Sequence, residues 1–279
     1  MNNPGTLRID ALAALLEDRG FESLWVGEHS HIPITSPSPY PGGRPLPDQY
    51  KRMMDPFVSL MAAAAATTTL KIGTAVTLLL ERDLFATAKE VSTLDLLSDG
   101  RVILGVGVGW NRLELADHTD IPWSKRYRAI REYVTVLKLL WTEEEPSFEG
   151  EFFRFDPLWS YPKPVQQPHP PILLGCAGSI GMSHVVEWAD GWFPIGAALE
   201  DLGAAIKDLH HRAEDAGRDP ATIEITITDR EFPELDVLRG YADLGVDRVL
   251  VGNHPLKPLD ESKLRAGIDA YAELIPQLD

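Results

Sequence analysis

Leu97-Ser-Asp-Gly-Arg-Val-Ile-Leu-Gly-Val-Gly-Val-Gly-Trp-Asn111 decides the fold. It reads as a tight turn, a buried strand and a glycine-rich exit carrying Trp110 and Asn111. Val102, Ile103, Leu104, Val106 and Val108 form a nearly continuous apolar run, as expected of a parallel strand covered on both faces. Gly105, Gly107 and Gly109 remove side chains at alternate positions, which leaves one side of the strand bare. Two readings follow: the glycines relieve crowding inside a barrel, or a flat ring lies against the bare backbone.

A dinucleotide fingerprint is excluded at this site. The sixth position counted from Gly105 is Trp110, and the glycines follow a hundred residues that already hold two strands. The composition excludes other classes. The chain has 279 residues, 44% of them hydrophobic, enough for one large α/β domain with a sizeable core. With 26 basic against 42 acidic residues the formal charge is −16, which argues against nucleic acid or an anionic membrane as partner. Backbone N–H groups can still hold a phosphate locally. The single cysteine, Cys176, allows no internal disulfide. With no signal peptide and no bilayer-length apolar run, the expected location is the cytoplasm.

Along the chain, strands are expected at 21–29, 71–79, 102–108, 171–176, 191–195, 223–228 and 248–252. Helices are expected from Leu7 to Gly20, after Asp55-Pro56, at 85–97, from an N-cap at Ser124, after 177, and near 200–216, 233–244 and 260–275. The proline-rich segment 30–54 reads as a lid-like loop. Residues 146–170 read as an insertion containing a small hairpin at 148–155. Alternating β and α elements of similar length predict a (β/α) barrel, one domain over 1–279, with its site at the strand C-termini.

"GFESLWVGEH", "KIGTAVTLL", "AKEVSTLDLLSDGRVILGVGVGWN", "LKLLWTEE", "SFEGEFFRF" and "ADGWFPIG" resemble the bacterial luciferase-like flavin and deazaflavin oxidoreductases. Within that superfamily they are most similar to the branch using coenzyme F-420, an 8-hydroxy-5-deazaflavin. The resemblance implies a TIM barrel, the tricyclic ring at its mouth, a homodimer, and hydride exchange with a small organic substrate. The alternatives are an FMN-dependent monooxygenase, fed reduced flavin by a separate reductase, and a flavin-binding protein without turnover.

Roles carry over by position. Glu28-His29 matches the acid–histidine pair ending the second barrel strand, where the histidine faces the ring and can exchange a proton. Without the resemblance His29 is an ordinary strand-end histidine, and His31 competes for the role. Ala75-Val76 matches a non-prolyl cis peptide behind the ring. Gly107, Val108 and Gly109 match the segment beneath it. Trp110 stands where some deazaflavin dehydrogenases carry a catalytic glutamate, leaving Asn111 and Glu114 as polar candidates. Cys176, Ala177, Gly178 and Ser179 lie between a strand and a helix, either as a phosphate loop or as an ordinary tight turn. No cluster has metal-ligand spacing. Family members begin with a strand that Met1-Asn-Asn-Pro-Gly-Thr6 does not resemble, since Pro4-Gly5 breaks strands. A seven-stranded barrel is therefore expected, with a gap between the strands at 23–27 and 248–252.

Overall fold

The computed structural model describes residues 7–35, 40, 43, 45–229, 233–252 and 260–278. In chain order the elements begin with α1 (Ile9–Asp18), β1 (Ser23–Val26), α2 (Pro56–Ala65), β2 (Lys71–Thr74), β3 (Thr77–Leu78) and α3 (Leu84–Leu97). Next come β4 (Val102–Gly107), α4 (Arg112–His118), α5 (Arg126–Thr142), the hairpin β5 (Phe148–Glu149) and β6 (Arg154–Phe155), β7 (Ile172–Cys176) and α6 (Gly178–Trp188). The last are β8 (Gly191–Pro194), α7 (Leu202–Asp215), β9 (Glu224–Thr228), α8 (Leu235–Asp243), β10 (Arg248–Leu250) and α9 (Glu261–Ala272).

The wall runs β1-β2-β4-β7-β8-β9-β10, every pair parallel, with β3 added beside β4 beyond the end of β2. This is the expected α/β barrel with seven strands around its wall. Leu104, Val106, Ile172, Leu174, Trp192, Ile225 and Ile227 are buried, as strands covered on both faces require. Asp55 caps α2 by accepting from the Val58 N–H at 2.9 Å, and Asp83 caps α3 through the Ala86 N–H at 2.8 Å. One expected cap is absent: Lys125, not Ser124, precedes α5, which follows directly on the short helix Trp123–Lys125.

The strand expected over 71–79 is broken in two, and the break explains the glycines. The Ala75–Val76 peptide is cis, and the Val76 side chain enters the space beside β4 and β7. A Cβ at Gly107 would fall 2.6 Å from Val76 Cγ2, and one at Gly175 would fall 2.8 Å from Val76 Cγ1. At Gly105 a Cβ would lie 2.0 Å from the Thr74 carbonyl oxygen. Protein atoms occupy the bare side of the strand at Gly105 and Gly107. The crowding reading is correct there, and the flat-ring reading is corrected.

Between β1 and β10 no strand is present among the described residues; residues 1–6 lie outside them. Side chains span the gap. Arg248 donates from Nε to Glu22 Oε2 at 2.6 Å and from Nη2 to Glu22 Oε1 at 2.8 Å, a bidentate fork. Its Nη1 pairs with Glu224 and reaches Thr226 Oγ1 at 2.9 Å. The guanidinium also lies 5.5 Å from the Trp25 ring centroid. Trp25 fills the adjoining interior so tightly that a Cβ at Gly73 would fall 2.5 Å from its ring. Burial raises the Glu22 carboxyl, but Arg248 and Lys71 more than offset this and bring it to about 2.

The seam therefore carries a pH signature. A carboxyl lowered from 4.5 to about 2 stabilises the fold fully above the unfolded value and loses that contribution as pH falls through this window. Urea midpoints of the wild type should fall more steeply than those of Glu22→Gln between those two pH values. Parallel curves would mean that the fork contributes nothing to closure.

Candidate active site

The C-terminal ends of β1, β3 and β4 converge on one group of polar side chains. Directly after β1, Glu28 turns into the wall: it accepts the Leu78 N–H at 2.8 Å and pairs with Arg82. Arg82 also donates to Glu90 at 2.9 Å and reaches Asp55 at 3.3 Å, with its guanidinium 4.6 Å from the Phe57 ring centroid. Burial holds the Glu28 carboxyl above its ordinary range, although Arg82 opposes the shift. Glu28 fastens β1 to β3.

His29 turns the other way and meets α4. Its Nδ1 lies 2.7 Å from Glu114 Oε2, and the Trp110 indole N–H donates to its Nε2 at 3.2 Å. An indole nitrogen only donates, so Nε2 accepts and Nδ1 carries the hydrogen given to Glu114. These two partners fix ring orientation and tautomer together. The imidazole side chain is only 6% exposed. Tyr50 lies 5.3 Å from it between ring centroids and Trp110 lies 5.5 Å away. Tyr40 closes over Trp110 at 5.7 Å, and its hydroxyl is 3.0 Å from that of Tyr50.

Glu114 reaches His29 because of how α4 starts. Asn111 caps the helix, its Oδ1 accepting the Leu113 N–H at 3.2 Å and the Glu114 N–H at 3.5 Å. Asn-x-x-Glu is the spacing of a capping box, in which the glutamate ordinarily turns back toward the cap residue. Here the Glu114 carboxylate goes to His29 instead and is completely buried. That diverted capping box was the available sequence signal for Glu114. Tyr40 and Tyr50 gave none, since they sit in a proline-rich segment without periodicity.

His31 occupies a different, exposed cluster. Ser30 Oγ lies 2.8 Å from His31 Nδ1 and 2.7 Å from His118 Nε2, while His31 Nε2 lies 3.0 Å from Asp117. These contacts tie the start of the lid-like segment to α4. No group of three or more His, Cys, Asp or Glu among the described residues could hold a metal.

Beside β4 in the wall, β7 leads into α6. Cys176 is buried, its thiol pushed up to about 12 by burial, so the side chain offers a ligand nothing. Ala177 precedes α6 without capping it by a side chain, and Gly178 and Ser179 are exposed. A Cβ at Gly178 would meet nothing within 4 Å, but its φ of +76° favours glycine on backbone grounds. First-turn N–H groups without a side-chain cap are the donor set a phosphate takes up. Val76, seated between Gly107 and Gly175, forms the floor between the two halves. Val108 is buried beyond β4, and Gly109, with φ +71°, packs toward Glu81.

A family model described as luciferase-like monooxygenase matches residues 5–230. The chain belongs to that family. An uncharacterized protein of Mycobacterium tuberculosis is 42% identical over 246 residues, 87% of this chain and 86% of its own length. An F-420-dependent hydroxymycolic acid dehydrogenase of the same organism is 30% identical over 223 residues, 78% of this chain and 57% of that protein. Among solved structures, an F-420-dependent secondary alcohol dehydrogenase in complex with an F-420–acetone adduct shares the fold. It covers 100% of both chains with a TM-score of 0.78 at 20% identity. Relatives in this family also include FMN-dependent monooxygenases. The luciferase-like chain described here is an enzyme of this oxidoreductase and monooxygenase group.

The tautomer is directly testable. Long-range nitrogen–proton correlation spectra should show neutral His29 protonated at Nδ1, and Trp110→Phe should move the Nε2 resonance far more than the Nδ1 resonance. A neutral ring protonated at Nε2 would contradict the hydrogen-bond assignment.

Proposed function

We propose that this protein is a coenzyme F-420-dependent oxidoreductase acting on a small organic substrate, with His29 as the group that exchanges a proton. The observation that carries this reading is the His29–Glu114 pair at the barrel mouth, buried under Trp110, Tyr40 and Tyr50. The mouth suits a flat anionic coenzyme on two counts: α6 has no side-chain cap, and Val76 presents an apolar floor to a ring. Ala177, Gly178 and Ser179 would hold a phosphate; Val76, with Gly107, Val108 and Gly109 behind it, would support the ring. When bound, the deazaflavin supplies hydride exchange at one ring carbon.

The rest falls to the chain's own residues. Removing hydride from a carbon that bears a hydroxyl requires a base for the hydroxyl proton. His29 Nε2 is the nitrogen with a lone pair once Trp110 yields its hydrogen bond. Glu114 at Nδ1 then faces the imidazolium that forms, which favours that state in a buried setting. In the reverse direction the same nitrogen returns the proton. Asn111 acts by holding the first turn of α4, and Glu28 by holding the strand end that carries His29. The tyrosine and tryptophan rings exclude water. The homodimer implied by the family resemblance belongs to the same reading.

Coenzyme titration is the test. The purified protein should bind oxidised F-420 and not FMN, and His29→Ala should lower kcat by about a hundredfold with coenzyme affinity retained. FMN binding without F-420 binding would assign an FMN-dependent monooxygenase, and unchanged kcat would remove His29 from the chemistry.

A further inference from the structure

The inference rests on the proton-exchange reading of His29 and extends it one carboxyl group further into the barrel wall. Glu81 ends the short helix Leu79–Glu81 after β3 and is only 7% exposed. Its Oε1 occupies the space that Gly109 leaves open, 3.2 Å from where a Cβ on that glycine would lie. Among the described residues, neither carboxyl oxygen of Glu81 has a hydrogen-bond partner, and neither does Oε1 of Glu114, whose other oxygen holds His29.

The charged groups around Glu81 give no relief. From α4 comes Glu114, fully buried, and from the end of β1 comes Glu28. Arg82 is the adjacent residue, but its guanidinium is engaged by Glu28, Asp55 and Glu90. His118, from the last turn of α4, is held below its ordinary range by burial and by His31, which disfavours a compensating positive charge there. Two ionised carboxylates without a donor between them are costly in such a wall, and one proton removes the conflict.

We propose that Glu81 is held as the neutral acid and donates its hydrogen to Glu114 Oε1, completing a line Glu81–Glu114–His29 that sets how firmly the imidazole Nδ1–H is held. Glu81 is thus a positioning residue, acting on His29 through Glu114. Burial first, then the charges of Glu114 and Glu28, carry its carboxyl up to about 9. The sign for stability is opposite to that of Glu22. The unfolded chain gives up this proton near 4.5 and the folded chain keeps it to about 9, so stability falls as pH rises between those values.

The test uses the cofactor-free protein, so it does not depend on whether F-420 is the coenzyme. Infrared difference spectra at neutral pH should show the carbonyl stretch of a protonated carboxylic acid that disappears in Glu81→Gln. In wild type that band should titrate with a midpoint near 9, and the His29 Nδ1 resonance should shift as Glu81 loses its proton. In Glu81→Gln the His29 resonance should lose that transition, and urea midpoints should exceed those of wild type at pH about 8. If the variant does not fold, the joint titration in wild type decides alone. Absence of the acid band, or a band that titrates while His29 stays unmoved, would overturn the proposal. An intact Glu81–His29 linkage with no F-420 binding would overturn only the coenzyme reading.

Discussion

The Val76 side chain sits where two neighbouring strands have no side chains of their own. Gly107 on β4 and Gly175 on β7 both leave room for it, and neither position tolerates a Cβ without displacing a valine methyl. Much of the mouth follows from that seating. It breaks the second strand and lets β3 pair with the far end of β4. It also places Leu78 where its N–H meets Glu28. The short helix after β3 then lays Glu81 against Gly109, beside the carboxylate that holds His29. An apolar packing constraint thereby arranges a polar site.

Charge at this mouth is unusual for a chain so acidic overall. Glu28, Glu81 and Glu114 are all buried within one small region, and of these Glu28 pairs with Arg82. Glu28 takes that arginine and Glu114 takes the imidazole N–H, while burial raises the carboxyls of both Glu28 and Glu81. Three chemically identical side chains so acquire three different settings: Glu28 meets Arg82 and the Leu78 N–H, Glu114 meets His29, and Glu81 packs against Gly109. The seam between β1 and β10 shows the contrasting solution. There Arg248 is shared among Glu22, Glu224 and Thr226 near solvent, and Glu22 is lowered, not raised.

Much of the fold was legible in the sequence because strands buried on both faces read as unbroken apolar runs. Helix ends read through Asp55 and Gly20. The gap beside β1, seen among the described residues, was expected from the composition of residues 1–6, which lie outside them. The break inside 71–79 was legible only through family resemblance, since Thr74 to Thr77 carries no proline or turn signal. The glycines of β4 drew attention correctly, but Thr74 and Val76, which Gly105 and Gly107 accommodate, are each 31 residues away in sequence, so spacing alone could not separate packing from ligand approach. His29 was found and its environment was not. Glu114 was named only as a polar candidate; that it, Trp110 and Tyr50 meet His29, with Tyr40 over Trp110 and Glu81 beyond Glu114, is a convergence only the folded topology supplies.

The most direct test of this account is a double-mutant cycle between Gly107 and Val76. Gly107→Ala alone should destabilise the protein by about 1–3 kcal/mol, the usual cost of overpacking a filled interior. Adding Val76→Ala, which removes the methyls that the new Cβ strikes, should recover most of that loss, giving a coupling energy of about 1 kcal/mol or more in urea unfolding. Strict additivity of the two substitutions would contradict the claim that the glycines of β4 and β7 exist to seat Val76.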